Sequence, residues 1–346
     1  MRPRVAFPYA AMEAISADEI PSPPGWQYEP KWDGFRCLVF RDGEKVILQS
    51  KAGKPLTRYF PEVVASVKAV PAKRFVMDGE IVVPVDRTLS FDDLLQRIHP
   101  AASRVRTLSE RHPALLLLFD LLVTERGTSV VEKPLSDRRA RLERFTERYI
   151  EQGGGIRLSP ATESLTVAKR WFRAAGGGLD GVIAKRLDAE YRAGQRDAMI
   201  KVKHVRSADC VIGGFRYASK GRAVGSLLLG LYDDAGLLHH VGFTSSLTAE
   251  ERGALLPRLE KLVRAPGFTG QAPGGPSRWS TERSAEWKPL ASKLVIEVQY
   301  DHVSGVRFRH GTKFMRWRPD KGPRQCTLDQ ITGLGGKVLA LIGGAP

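Results

Sequence analysis

Glu29-Pro30-Lys31-Trp32-Asp33-Gly34-Phe35-Arg36 is the stretch on which the fold and the chemistry turn. A lysine stands just ahead of a β-favouring run, two residues before an aspartate and three before a glycine. Arg36 follows on a face where it would meet phosphate. A protonated lysine is a poor nucleophile, so covalent chemistry requires its amine to be neutralised by burial or nearby cations. Held beside phosphates, such a lysine attacks an α-phosphorus and leaves a phosphoramidate. Taken alone, Lys-x-Asp-Gly equally describes a surface lysine in a glycine turn, and the rest of the chain has to decide.

Immediately downstream, β-type runs at 37–40 and 46–49 flank Arg41-Asp42-Gly43-Glu44, which predicts a hairpin. Residues 75–85 and the continuous apolar run 115–122 read as strands, and Ser90-Phe-Asp-Asp93 as a capped helix start. A charged amphipathic helix is expected over 137–151, stopped by Gly153-Gly-Gly155. Gly176-Gly-Gly178 lacks the GxGxxG spacing and reads as another helix stop, ahead of short β-runs at 182–184 and 199–202. From Asp209 the pattern changes to glycine-punctuated strands at 210–217, 226–232, 237–243, 293–300 and 305–318. One helix is expected near 248–264, and an irregular Gly/Pro-rich loop over 265–289. Five strands with one helix fit a small Greek-key barrel, of which the OB-fold is the commonest. The boundary is expected at 204–208, giving domains 1–205 and 207–346.

A series of polar groups recurs at strand ends. Ser50-Lys51 closes the hairpin, and Asp78-Gly79-Glu80 places two carboxylates on one strand face. Phe119-Asp120 ends an apolar strand with an aromatic ring available for stacking. Asp180 and Lys185 flank a short strand, and Lys201-Val-Lys203 puts two lysines on one face. Each alone is commonplace. Together they supply a nucleophile, a base platform, metal carboxylates and phosphate cations, the kit that nucleotidyl transfer requires. There is no GxxxxGK[ST] loop, so nucleotide is not held by a Walker fold.

Carrying these motifs in this order, the chain resembles the covalent nucleotidyltransferases. Within them it is most similar to the ATP-dependent DNA ligases of the small bacterial C type, over about residues 20 to 325. The resemblance implies an α+β chain of two domains. An antiparallel-sheet, ATP-grasp-like nucleotidyltransferase domain would be followed by an OB-fold barrel that swings about a hinge near 206–209. It makes Lys31 the AMP-bearing nucleophile and Glu29 the reader of the adenine amino group. Glu80 would hold the ribose and Phe119 would stack on adenine. Arg36, Lys51, Lys185, Arg196, Lys201 and Lys203 complete the ATP site, and Glu80 with Asp180 form a Mg²⁺ (or Mn²⁺) site. Arg316, Arg318, Asp320 and Lys321 would orient the leaving pyrophosphate. Two departures stand out: Asp180 where glutamate is usual, and Lys51 where arginine is usual, a point charge in place of a bidentate fork. An RNA ligase or mRNA-capping enzyme shares the lysine motif. A non-catalytic OB-type strand-end-binding protein would have no need of Lys31 and Glu80 together.

Composition agrees with such a substrate. The 346 residues suffice for two domains, and the net charge is +16. The excess is spread, with 35 basic and 26 acidic residues up to position 206, and 19 and 12 beyond it. A distributed positive field suits a polyanion, here nicked double-stranded DNA. Cys37, Cys210 and Cys326 lie too far apart for a disulfide framework or zinc site, which favours a reducing compartment. No apolar run spans a bilayer, and the N-terminal stretch is too broken for a secretory signal, so the expected location is cytoplasmic and nucleoid-associated. Repair polymerases or end-binding proteins are expected partners by resemblance alone. In the absence of a large N-terminal DNA-binding domain, encirclement of DNA is expected to be partial or assisted. His239-His240 reads as structural, with no acidic or cysteine partner nearby to make a metal site. Of Trp279, Trp287 and Trp317, at least one is expected to pack in the barrel core.

Overall fold

The structure, a computed structural model, describes residues 5–86, 88–176, 178–219, 222–274, 286–332 and 338–343. The chain divides into two compact units, Met1–His204 with Leu334–Pro346, and Val205–Gly333. In chain order the first unit contains β1 (Trp26–Trp32), β2 (Phe35–Asp42), β3 (Lys45–Ser50), α1 (Pro61–Ala69), β4 (Arg74–Val82) and α2 (Phe91–Gln96). It continues with α3 (Ala102–Arg111), β5 (Leu115–Val123), α4 (Leu135–Tyr149), β6 (Ile156–Leu158), α5 (Leu165–Arg173), β7 (Leu179–Arg186) and β8 (Met199–Lys203).

Two sheets carry this unit. The larger has the order β3–β2–β4–β5–β6, antiparallel throughout except where β6 joins β5. Its hairpin turns at Gly43, whose φ of +59° is the left-handed conformation a tight turn requires. Helices α1 and α4 cover the sheet, and Val63, Val67, Leu142 and Phe145 bury against Leu48, Met77 and Leu116. The smaller sheet runs Ile15–Ser16, β8, β7, β1. Its core is Tyr28, Trp32, Ala168, Trp171 and Val182.

β1 is absent from the sequence reading, which left the lysine ahead of a strand. Pro30 interrupts the run and argues against pairing on both sides. The structure resolves this by placing β1 at the sheet edge, with Pro30 opposite Val182 and, among the described residues, only the isolated Tyr28–Thr162 bridge on the other flank. The residues after Val82 also differ from expectation: β4 stops there, and Pro84–Val85 forms a separate short strand with Thr88–Leu89. The capped start at Ser90 is present, its Oγ accepting from Asp93 N at 3.2 Å.

The second unit contains β9 (Arg206–Tyr217), β10 (Val224–Tyr232), β11 (Leu238–Thr244), α6 (Ala249–Glu260), β12 (Val295–Tyr300) and β13 (Lys313–Trp317). The sheet order is β11–β10–β9–β12–β13, and a single bridge between Thr244 and Thr312 joins its two outer strands. With the helix between the third and fourth strands, this is the OB arrangement. The single strand expected over 305–318 is instead a small hairpin, Val303–Ser304 with Arg307–Phe308, followed by β13. Gly305, at φ +57°, makes the turn that breaks it.

The last described residues, 338–343, depart from the expected domain 207–346. Val338 and Ile342 are buried in the first unit's core with Trp32 and Trp171, and Arg157 Nη1 donates to the Ile342 carbonyl at 2.7 Å. The apolar run Val338-Leu-Ala-Leu-Ile342 finds its burial there. Trp287 and Trp317 pack against the barrel core, whereas Trp279 lies outside the described residues. No described helix is long and apolar enough to cross a membrane.

Candidate active site

The smaller sheet lays out a grid of charged side chains. On β1, Glu29 and Lys31 share one face because side chains alternate, while Tyr28 and Trp32 anchor the other in the core. Trp32 Nε1 donates to Ser159 Oγ at 2.8 Å, fixing the strand end that carries the lysine. Lys31 pairs with Gly181, which pairs with Lys203. Glu29 pairs with Ile183, which pairs with Lys201. Gln27 pairs with Lys185, which pairs with Met199. Three strands thus present three rows to one cavity of about 240 Å³. Gly181 leaves the room in the first row, since a Cβ there would lie 2.1 Å from the Val202 carbonyl oxygen.

The larger sheet supplies the rest. Arg36 on β2 lies opposite Glu80 on β4, and both line the cavity with Phe119 of β5. Gly34 lets β2 approach β4, because a Cβ at that position would sit 2.4 Å from the Ile81 carbonyl oxygen.

Two β-bulges aim the key groups. The β4–β5 register shifts between Asp78/Asp120 and Gly79/Leu118, leaving Phe119 as the extra residue. The β1–β7 register shifts between Leu179/Trp32 and Gly181/Lys31, leaving Asp180 as the extra residue. A bulge bends the strand and redirects a side chain, a device common beside active sites. Asp180 Oδ2 makes a short ion pair with Lys31 Nζ. No pattern of residue types marks a bulge in either strand, which is why the sequence reading gave these residues roles but no geometry.

Several of the charges around the cavity are paired. Lys185 Nζ contacts Glu29 Oε2 at 2.7 Å, and Gln27 Nε2 donates to Glu29 Oε1 at 2.7 Å, so the glutamate is held at both oxygens. Asp78, fully buried, receives Arg36 Nε and Nη2, each at 2.6 Å. Burial opposes the charge on Arg36, but Asp78 more than offsets it and keeps the guanidinium ionised. The Arg36 guanidinium lies 4.6 Å and the Lys185 ammonium 4.4 Å from the centre of the Phe119 ring. Burial pushes the Glu80 carboxyl up to about 8, against the pull of Arg36 and Lys31. Lys201 is lowered, first by burial and then by Lys51, Lys31 and Lys203 nearby.

The remaining expected residues fall into two groups. Lys51 lines the cavity and pairs with Glu13 at 2.9 Å, whereas Arg196 stands outside the lining and reaches the same Glu13 at 2.8 Å. Arg316, Arg318, Asp320 and Lys321 lie in the second unit. Arg316 pairs with Glu297 at 2.7 Å and Arg318 with Asp320 at 2.8 Å. Asp209 holds both Arg318 and Lys321, each at 2.7 Å. His239, expected to lack an acidic neighbour, has one: Asp233 Oδ2 lies 2.8 Å from its Nε2. The turn Asp233–Leu237 brings it back, a contact invisible in the strand pattern. Sequence reasoning also missed Glu13, Asp209 and the lining residues Met12, Ile183 and Met199. Their residue types carry no signal without the fold, although Asp209 stood at the end of the expected hinge.

Lys31, on an edge strand and paired with Asp180, thus opens on a cavity lined by Lys185, Lys201 and Lys203 and walled by the Phe119 ring. Family models place the chain. Residues 10–203 match the ATP dependent DNA ligase domain and residues 220–321 the ATP dependent DNA ligase C terminal region. The chain belongs to the ATP-dependent DNA ligase family. It is 45% identical to DNA ligase C2 of Mycolicibacterium smegmatis over 340 residues, 94% of either chain. It is 43% identical to DNA ligase C of Mycobacterium tuberculosis over 339 residues, again 94% of each. The resemblance to the small bacterial C-type ligases is therefore borne out. A solved structure from work on Lig E DNA ligases shares the fold, with TM-score 0.54 at 16% identity, covering 89% of this chain and 99% of that one.

Proposed function

We propose that this protein seals nicks in double-stranded DNA through an AMP carried on Lys31, and the observation that carries this reading is the ion pair of the cavity-lining Lys31 with Asp180. Lys31 must give up a proton before its amine can attack, and Asp180 is placed to take it. The Nζ lone pair then forms a bond to the α-phosphorus of ATP, the bond to the β-phosphate oxygen breaks, and pyrophosphate leaves. Phe119 offers the base a stacking face, and Glu29, fixed by Lys185 and Gln27, offers a rigid polar edge for choosing adenine. Lys201, Lys203 and Lys51 neutralise phosphate charge. AMP next passes to a DNA 5′-phosphate, and the 3′-hydroxyl displaces it to close the strand.

A divalent ion fits the residues present. Among the described residues the Glu80 carboxyl has no side-chain hydrogen bond or ion pair though it lines the cavity, and a single carboxylate with phosphate oxygens and water is a usual Mg²⁺ environment. Bound there, Mg²⁺ or Mn²⁺ would supply charge neutralisation at the phosphates. Asp180, engaged by Lys31, would serve the ion only when that contact opens. In this reading the first unit is the adenylation domain and the second an OB domain whose Arg316–Lys321 segment orients pyrophosphate. The protein works in the cytoplasm on the nucleoid, with a repair polymerase or end-binding protein as recruiter.

Incubation with α-labelled ATP or GTP, followed by denaturing electrophoresis, tests the reading. Label is expected from ATP, not GTP, and none in Lys31→Arg, because arginine stays protonated. Labelling of Lys31→Arg at wild-type stoichiometry would refute the assignment, and preferential labelling by GTP would favour a capping-type enzyme.

A further inference from the structure

Behind the cavity, in a position no part of the mechanism above uses, lies Tyr191. It follows β7, is 4% exposed, and does not line the cavity. Its hydroxyl donates to Asp78 Oδ2 at 2.6 Å and accepts from the Met12 N–H at 3.1 Å. Asp78 already receives two bonds from Arg36, so the tyrosine supplies a third. The ring itself is gripped, with the Arg138 guanidinium 5.7 Å from its centre and Tyr9 stacked at 6.3 Å. Arg138 in turn forks onto Asp120, the neighbour of Phe119, at 2.8 and 2.9 Å.

The hydroxyl therefore ties together three pieces of chain distant in sequence. Met12 belongs to the segment that edges the cavity, Asp78 to the strand behind it, and Arg36 rests against Phe119. The Arg36 fork holds both Asp78 oxygens yet leaves each with a further lone pair, and both partners can still shift together. A third donor, from a packed ring on another segment, ties the fork as a unit to the scaffold. A phenylalanine would fill the same space without doing so.

We propose that Tyr191 is a positioning residue for ATP. Its hydroxyl locks Asp78, Asp78 locks Arg36 against Phe119, and the base platform is thereby formed before nucleotide arrives. The same hydroxyl holds the Met12 edge of the cavity in place. This rests on the reading of the cavity as the ATP site. Preorganisation of this kind acts on binding, because the ordering is already done in the free protein.

The test is a double-mutant cycle read as KM for ATP and saturating rate of enzyme-AMP formation, in wild type, Tyr191→Phe, Phe119→Ala and the double variant. Tyr191→Phe is expected to raise KM about tenfold, the scale of one hydrogen bond to a charged group, with the saturating rate within about twofold of wild type. In the Phe119→Ala background it is expected to add nothing, since the platform it supports is gone. A purely structural role would lower the melting temperature and the saturating rate, leave KM unaltered, and add to Phe119→Ala. Unaltered KM, or additivity, overturns the proposal. If Phe119→Ala alone leaves KM unaltered, the reading of the cavity fails and the proposal falls with it.

Discussion

The first unit and the second hold comparable sets of charged residues in opposite ways. Around Lys31, charges come from five strands of two sheets, are paired behind a cavity wall, and leave Glu80 shifted to about 8. Around Lys321, they come from one strand end and the loop after it, and they pair chiefly with one another and with the buried Asp209, while Asp320 stands exposed. Asp320 is held down to about 2 by its hydrogen bonds from Arg318, a local effect of an exposed pair. The contrast teaches what each arrangement is for. A cavity-lining constellation with perturbed protonation marks a candidate site for a bound group, whereas a pair with an exposed member such as Asp320 adds little to stability.

Breaking the buried set should therefore cost stability as well as activity. Asp78→Asn removes the anion from a buried guanidinium and is expected to destabilise the protein by about 3–5 kcal/mol in a denaturant titration, with loss of AMP uptake. Asp320→Ala, in the exposed set, is expected to leave the denaturation midpoint close to wild type. A midpoint shift as large for Asp320 as for Asp78 would erase the contrast.

A smaller effect is expected at the base platform. Phe119→Ala should weaken ATP binding by about 1–3 kcal/mol, the range for base–aromatic stacking, as measured by calorimetry. The second unit's Trp317, replaced by alanine, should leave ATP affinity as it is. Equal losses at both would show that the nucleotide is not confined to the first unit's cavity.

The smallest effect concerns pH. The Glu80 carboxyl is raised above its usual value of 4.5, so its favourable contribution is complete below that value and is lost as pH rises through about 8. Glu80→Gln is expected to melt higher than wild type in metal-free buffer, by a margin that grows from about pH 5 to about pH 9. A constant margin would mean that Glu80 does not titrate in the folded protein. Added Mg²⁺ should narrow the difference, because only the wild-type carboxylate has charge to offer the ion.

Much of this contrast was legible in the sequence, and the reasons are specific. The hairpin that follows Lys31 announced itself through Asp42-Gly43, and a helix was expected near 248–264, where α6 lies with a capping box of Thr248 and Glu251 at its start. The lysine, the phenylalanine and the lysine pair were readable because their order along the chain is itself a pattern. What escaped depended on contacts between distant segments. Pro30 hid β1, since only the sheet's edge position makes a proline tolerable there. Glu13 and Tyr191 carry no local signal, and their roles arise from partners 38 and 113 or more positions away, such as Lys51 and Asp78. The bulges at Phe119 and Asp180 are register shifts, set by the facing strand rather than by the residue.

One measurement bears most directly on the division of labour between the two regions. Lys321→Ala and Asp320→Ala should be assayed side by side for AMP uptake from ATP and for closure of a nick whose 5′-phosphate was adenylated chemically beforehand. If the exposed set serves only to orient pyrophosphate while the buried set does the chemistry, uptake is severely slowed and closure proceeds at the wild-type rate, since no pyrophosphate takes part in it. Normal uptake with poor, salt-sensitive closure would contradict the account and make the segment a DNA-binding stripe.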